Sequence, residues 1–539
     1  MKRVLLMVIA VVLLGATFVS EATAQESEGL AAVGLNLHGY YRIRYNNTFD
    51  LGWLTKKDDG DSNWWSYFDQ RMLLQPTLVI ADPIQINMEL DLLNNVVFGD
   101  NEIERLPTVI TQRKPNDLQI IDNVRYGELD FNQGDLLSQS VSDTDRNGNP
   151  VESVRIRQLY ANVSLGIGYL RFGRMASQFG MGLFANSGSP FLRSTRPDIN
   201  DNNSGFNSNG GDIYDRIMFG TRIAGIYYPI LMYDRIAEDD FRTGTNDVHA
   251  FSLLQYVRGI KFADSGSFDA GALIQARVQQ STDAHIMIYD LWAKGGYAGF
   301  SLEGEGAAIQ GSATFIDHDT VEDLEESGLP TGEGGDKVQA SAYIAATRFK
   351  YDVGRWGAGL EYGFSSPADP NPDREFDSAA ASNISQAAAL SKTDPDNAAM
   401  QVDFTNTVMQ NQAAFGKNVF TFPFDPNYNV DLILWNQLFG PMKNAMYFKA
   451  SGFIKPLDEM YIELDVLSSY INESYQGKNG EDAAHDLGWE ADLTFAYTFH
   501  KRFTWNAQFG YFLPGQYFKD VYRGVENVYT IQSRAIIDF

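Results

Sequence analysis

The chain of 539 residues contains no cysteine, which removes disulfide cross-links, thiolate nucleophiles and cysteine-ligated zinc. Basic residues are the scarcer charge: 42 Lys and Arg stand against 69 Asp and Glu, a formal net charge of -27. No nucleic-acid partner is expected, because binding phosphates requires a basic face. Histidine is rare too, six in all and none with a persuasive serine partner, so no hydrolase and no other enzyme is expected. Long apolar runs are lacking beyond the N-terminus. The longest, 225–233, has nine residues, whereas a membrane-spanning helix needs about 20. What is abundant is aromatic or small: 35 Phe, 27 Tyr and 48 Gly.

The N-terminus carries an address. Lys2 and Arg3 precede an apolar stretch at 4–14, and Ala22-Thr23-Ala24 places small residues ahead of Gln25. This is the pattern of a secretory signal peptide, 1–24, cleaved near Ala24. The mature chain is then 25–539.

Period-two alternation runs through that mature chain. In 36–45, Leu37, Gly39, Tyr41, Ile43 and Tyr45 share one face, with His38, Tyr40, Arg42 and Arg44 on the other. In 84–92, Ile84, Ile86, Met88, Leu90 and Leu92 oppose Gln85, Asn87, Glu89 and Asp91. In 487–499, Leu487, Trp489, Ala491, Leu493, Phe495, Tyr497 and Phe499 oppose Glu490, Asp492 and Thr494. Such segments are strands with one apolar and one polar face. Their length of about ten residues, with aromatics near the ends, is the mark of an outer-membrane barrel.

Strands are expected near 36–45, 66–81, 84–94, 154–165, 167–177, 215–224, 226–234, 248–262, 266–279, 284–294, 297–309, 338–351, 355–365, 444–455, 459–470, 486–499, 502–512 and 528–539. Links after even strands are tight, among them Asp82-Pro83, Gly166, Gly225, Gly295-Gly296 and His500-Lys501. Links after odd strands are mostly long, notably 95–153, 178–214 and 366–443. The expected fold is therefore all-β: a transmembrane antiparallel β-barrel of about 18 strands in the bacterial outer membrane, with short periplasmic turns and long extracellular loops. The last strand ends on Phe539, the aromatic end that barrels of this kind present for assembly. A plug-bearing receptor is not expected, since 25–35 leaves no room for a plug ahead of the first strand.

A barrel of this size leaves a water-filled lumen. Parity turns Arg42, Arg44, Arg71, Arg171, Arg216, Arg222, Arg277 and Arg348 inward, and with them Asp69, Glu89, Asp91, Asp269, Glu303, Glu305, Glu361, Glu463, Asp465, Glu490 and Asp492. Two readings stay open. The charges pair across strands and merely wall a wet lumen, or the arginines form a track for anions. Arginines concentrate in the first nine strands and acids in the rest, so one wall is expected to be positive.

Two stretches resemble the alginate export family. Arg157-Gln158-Leu159-Tyr160, leading through Leu170-Arg171-Phe172-Gly173-Arg174 to Phe179-Gly180, is similar to a hairpin of that family. So are Leu487-Gly488-Trp489-Glu490-Ala491-Asp492-Leu493-Thr494 and the later Gly510-Tyr511-Phe512-Leu513-Pro514-Gly515. Met175 stands where that family has Gln. The resemblance implies an outer-membrane barrel of about 18 strands whose arginine-rich pore passes an acidic, alginate-like polysaccharide, with periplasmic export components as partners. The residues themselves equally allow a general porin for small solutes, or a surface barrel that transports nothing.

Two regions remain. Asp143, Asp145 and Asn147, with Gly148 after them, resemble the start of a calcium loop, but the twelfth position is Val154 rather than the bidentate Glu. A polar turn is the competing reading, and no other cofactor is expected. The 366–443 link is too long for an idle loop, and Asp431-Leu432-Ile433-Leu434-Trp435 is too apolar to leave in water. It is expected either to be a loose surface lid or to fold into or over the pore.

Overall fold

The computed structural model describes residues 34–49, 64–97, 154–188, 211–237, 247–263, 265–280, 283–313, 338–367, 422–474, 481–500, 502–522 and 524–539. The expected signal peptide and the loop bearing Asp143, Asp145 and Asn147 lie outside these residues.

Alternation along each strand makes one two-faced ribbon, and eighteen of them pair into a single antiparallel sheet. In chain order they are β1 (Gly34–Phe49), β2 (Trp64–Ala81), β3 (Ile84–Val97), β4 (Val154–Leu165), β5 (Gly168–Ala176) and β6 (Ile213–Gly220). Then come β7 (Tyr227–Ala237), β8 (Val248–Phe262), β9 (Gly266–Gln279), β10 (Ala284–Tyr297), β11 (Phe300–Ala313) and β12 (Val338–Asp352). The last six are β13 (Trp356–Ser365), β14 (Ala445–Ile454), β15 (Met460–Ile471), β16 (Asp486–Phe499), β17 (Phe503–Pro514) and β18 (Val528–Asp538). A short helix, α1 (Gln516–Val521), joins the last two strands.

Each strand pairs with its sequence neighbours, and β1 pairs with β18 from Tyr40↔Asp538 to Phe49↔Tyr529, so the sheet closes without an edge. Backbone bonds of 3.0 Å in both directions between Gly39 and Phe539 extend that seam. Gly39 is required there, because a Cβ would run into the Leu73 carbonyl and the Phe539 ring.

Links after even strands are all short, the longest being 221–226. The turn expected at Gly295-Gly296 lies three residues later. β10 continues to Tyr297, and Ala298 and Gly299 turn the chain at φ 50° and 85°, the left-handed pair of a tight hairpin. β6 likewise ends at Gly220, earlier than the alternation suggests. The link between β9 and β10, 280–283, is a short one on the long-loop side.

The exterior is apolar. Leu231, Leu291, Leu302 and Leu360 point outward and are 54–65% exposed. Near the short turns, rings meet along the outer wall: Phe262–Tyr297 stacked at 6.4 Å, Phe300–Tyr351 stacked at 4.4 Å and Tyr351–Trp356 edge to face at 5.8 Å. Apolar outside, polar inside and an aromatic girdle are the distribution of a barrel that spans an outer membrane.

Bulges shift the register at several places, and two of them turn a side chain into the lumen against the alternation. Glu89 pairs with Gln158 and Leu90 with Ile156, so Arg157 is the extra residue of β4 and turns inward. Ser469 pairs with Gly488 and Tyr470 with Asp486, which makes Leu487 extra in β16. Alternation placed Leu487 on the outer face; the bulge buries it completely.

Candidate functional site

Two chain segments enter the lumen from the long-loop side. The first, 177–188, follows β5; the second, 422–443, follows β13 and contains a π-helical turn at Leu434–Leu438. Neither can satisfy its backbone within a sheet, so the wall must do it. On β11, the Glu305 carboxylate accepts the N–H groups of Met181, Gly182 (3.1 Å) and Leu183 (3.0 Å). On β16, Glu490 accepts those of Leu432 (3.0 Å), Ile433 (2.7 Å) and Leu434 (2.9 Å). Three successive N–H groups converging on one point make an anion-binding concavity, and each glutamate fills one.

Other bonds tie the second segment down. Lys449 Nζ donates to the Val430 carbonyl at 3.0 Å, and the Tyr428 hydroxyl donates to Glu361 Oε1 at 3.0 Å. Gln437 spans the closing seam, accepting from Thr48 Oγ1 at 2.6 Å and donating to Thr530 Oγ1 at 3.3 Å. The segments also join each other: Asp425 N–H donates to the Leu183 carbonyl at 2.7 Å, and the Phe184 and Phe422 rings meet edge to face at 5.6 Å. Phe179, Met181, Leu183, Phe424, Ile433 and Leu434 belong to one apolar cluster with Ile286, Ile288, Ile309 and Ile344 of the inner wall. Phe518 of α1 adds to it, stacked on Phe439 at 5.5 Å. Of the two readings of the 366–443 link, the described portion folds into the barrel; 368–421 lie outside the described residues.

The inward charges come in two kinds. Most are paired: Arg44–Asp69 at 2.8 Å, Arg71–Asp91 at 2.7 Å, Arg216–Asp234 at 2.5 Å and Arg348–Glu361 at 2.6 Å. Arg277, fully buried, donates to Gln275 at 2.7 Å, and Arg171 donates to Asn162 at 2.8 Å. Glu303 accepts from Trp292 at 2.9 Å and Lys294 at 3.1 Å. Arg222 is the exception. It lies past the end of β6 in the 221–226 turn, exposed, and donates to the Gly225 carbonyl at 2.7 and 2.9 Å. It does not line the lumen.

At the seam the register stacks cations. Arg42 stands across from Arg71, and Arg44 stands between Asp69 and Arg534. Arg534 donates to two neutral amides, Gln508 at 2.5 Å and Gln532 at 3.0 Å. With Arg157, which reaches Asp91 at 3.4 Å and Glu89 at 3.7 Å, five buried guanidinium groups here face three carboxylates, Asp69, Glu89 and Asp91, and the half-buried Arg155 stands opposite Asp91 as a sixth. Tyr40, Leu73 and Ile536 form a small apolar cluster beside them. Acids gather instead on β15 and β16, where Asp465 stands opposite Asp492, with Glu463 and Glu490 nearby and Lys449 on β14.

Arg534, Arg157 and Lys449 are absent from the sequence-derived set. Alternation in β18 does place Arg534 on the polar face with Thr530 and Gln532, so that signal was present. Arg157 had none, because only the bulge turns it in. Among the described residues no group of three or more metal-ligating side chains converges.

No family model matches the chain, and no curated protein matches it. Solved structures do. OccK11 (OpdR) of Pseudomonas aeruginosa is similar with a TM-score of 0.46 and 9% identity, over 94% of this chain and 96% of that one. OccAB4 of Acinetobacter baumannii gives 0.46 and 9%, over 95% and 100%. OpdK of Pseudomonas aeruginosa, solved with vanillate, gives 0.46 and 8%, over 94% and 98%. At such identities the likeness is one of fold.

Proposed function

We propose that the chain is an outer-membrane channel for small anionic solutes, delivered after cleavage of 1–24 near Ala24. Barrels of this strand number enclose an aqueous lumen unless it is filled. Here two segments narrow the lumen from one side. The observation that carries the anionic reading is the stacked register at the seam, Arg42 across from Arg71 and Arg44 across from Arg534. Guanidinium stays charged, and these four, 0–7% exposed, act on a passing solute through their field rather than by direct bonds. Inside a low-dielectric wall that field is focused on the passing solute. The overall charge of -27 does not cancel this, since exposed charges are screened within about 8 Å at physiological salt.

An acidic polysaccharide, implied by the resemblance to alginate export proteins, fits less well. A polymer must thread past segments pinned to the wall at Glu305 and Glu490, whereas a small solute need only pass beside them. Planar bilayers test both. The wild-type reversal potential in a salt gradient should show anion preference, and Arg42→Ala with Arg44→Ala should move it towards cations. Small dicarboxylates should block more than oligouronates of equal charge. A cation-selective wild type overturns the anionic reading, and absence of any current overturns the channel.

A further inference from the structure

Where the two lumen segments meet, two carboxyl groups meet as well. Asp212 directly precedes β6 and is fully buried. It holds the first segment: its N–H donates to the Asn186 carbonyl and its Oδ2 accepts the Asn186 N–H, both at 2.8 Å. Asp425, 4% exposed, belongs to the second segment. Its Oδ1 accepts from Asn427 N at 2.8 Å and Nδ2 at 3.1 Å, and its own N–H reaches the Leu183 carbonyl. The other oxygens, Asp212 Oδ1 and Asp425 Oδ2, are buried and find no donor among the described residues. The two side chains are neighbours, Asp212 anchored on Asn186 and Asp425 on Leu183 of the same segment, and each acts on the charge of the other.

Two carboxylates cannot both stay charged in such a place, because burial removes their hydration and each repels the other. One proton between them supplies the donor that both free oxygens lack. Burial above all pushes both acids up: Asp425 to about 7, and Asp212 well above the carboxylate range, with the Asp425 charge as its second cause. Arg277 on β9 favours an ionised Asp212 but is shared with Tyr214 and Asp234, the other titratable groups there.

We propose that Asp212 and Asp425 form a proton-sharing clasp that fastens the 177–188 and 422–443 segments into one bridge across the lumen. The bridge then runs from Glu305 on β11, through the clasp, to Glu490 on β16. At neutral pH the pair keeps a proton and the clasp is closed. In alkali the last proton leaves, two anions face each other, and the seam parts. Both acids are raised, so fastening is lost as pH rises and never as it falls.

Amide hydrogen exchange in detergent-folded protein reads the seam directly, through the Asp425 N–H and its neighbours. Corrected for the intrinsic rate, wild-type exchange should be flat from about pH 6 to 8 and rise roughly tenfold or more towards pH 10, the worth of one charge-assisted hydrogen bond. Asp425→Asn keeps a donor and an acceptor for Asp212 and carries no charge, so its profile should stay flat. Asp425→Leu should exchange fast at every pH while heat-modifiable migration still reports a folded barrel. A flat wild-type profile, an equal rise in D425N, or full protection in D425L overturns the clasp. Only its electrical consequence rests on the channel reading: alkaline gating noise in the wild type and none in D425N. Loss of all current with the exchange step intact counts against the channel and leaves the clasp standing.

Discussion

The inner faces of β8–β12 and of the β18–β1–β2 seam obey the same alternation, yet one presents Leu254, Ile286, Ile288, Ile309 and Ile344 and the other Arg42, Arg44, Arg71 and Arg534. An inward position is thus no class of polarity; what lies against it decides. Where chain segments fold back against β8–β12, that wall is largely apolar, with Glu305 as the carboxylate that holds the first of them. Wall carboxylates differ in the same way. Asp69 and Asp91 answer guanidinium groups, whereas Glu305 and Glu490 answer backbone N–H groups that a strandless segment has nowhere else to place.

The sharpest way to break that contrast is to remove a carboxylate that serves backbone. Glu490→Ala takes the acceptor from the N–H groups of Ile433 and Leu434 and leaves Leu432 only its longer bond to Asp492, at 3.2 Å. Each buried unsatisfied donor costs about 1–3 kcal/mol, so the second segment should detach. The expected record is noisy, enlarged single-channel current with a barrel that still migrates as folded. Glu490→Gln keeps one accepting oxygen and should fall between. A quiet wild-type trace from Glu490→Ala would show that the apolar contacts and the bonds of Tyr428, Gln437 and Lys449 hold the segment without it.

Next in size is the apolar wall itself. Ile344→Ala empties a site that is 1% exposed and should cost about 2–4 kcal/mol, read as a lower temperature for loss of the heat-modifiable form. Ion selectivity should not move, because no charge is touched.

How much of this was legible follows from what alternation encodes. Period two told inside from outside over most strands, and the turn residues told which links are short, because both depend on local residues only. It failed at Arg157 and Leu487, where one inserted residue shifts the pairing of a neighbouring strand and no local signal marks it. It misplaced Arg222 because β6 was drawn too long across a turn. The apolar string Leu432-Ile433-Leu434 announced that 366–443 must pack on something. Its acceptor Glu490 and its junction at Leu183 depend on contacts 56 residues and more away along the chain, which pattern cannot supply.

The charged half offers the third test. Arg534 contacts neutral amides and stands beside Arg44, so Arg534→Gln removes a positive charge without orphaning a carboxylate. The reversal potential should shift towards cations by less than for the Arg42 and Arg44 pair, with thermal stability nearly unchanged. A stability loss as large as that of Ile344→Ala would mean this arginine serves packing rather than the field of the lumen.

The smallest effect belongs to an ion pair on the other side of the wall. Arg174 and Asp215 are cross-strand partners near the long-loop ends of β5 and β6, joined by bonds of 2.9 and 2.7 Å. Their side chains are 49% and 50% exposed, so they face outward at the rim of the apolar band, where headgroups and water reach them. An exposed pair of this kind contributes about 0–1 kcal/mol, and charges cost little near a membrane interface compared with its midplane. Arg174→Ala should therefore move the thermal transition by no more than that, and the reversal potential not at all, because the lost charge is separated from the lumen by the wall. Selectivity shifting as far as in Arg534→Gln would place Arg174 inside and reverse the facing of β5, and with it the inward placement of Arg171 and Met175.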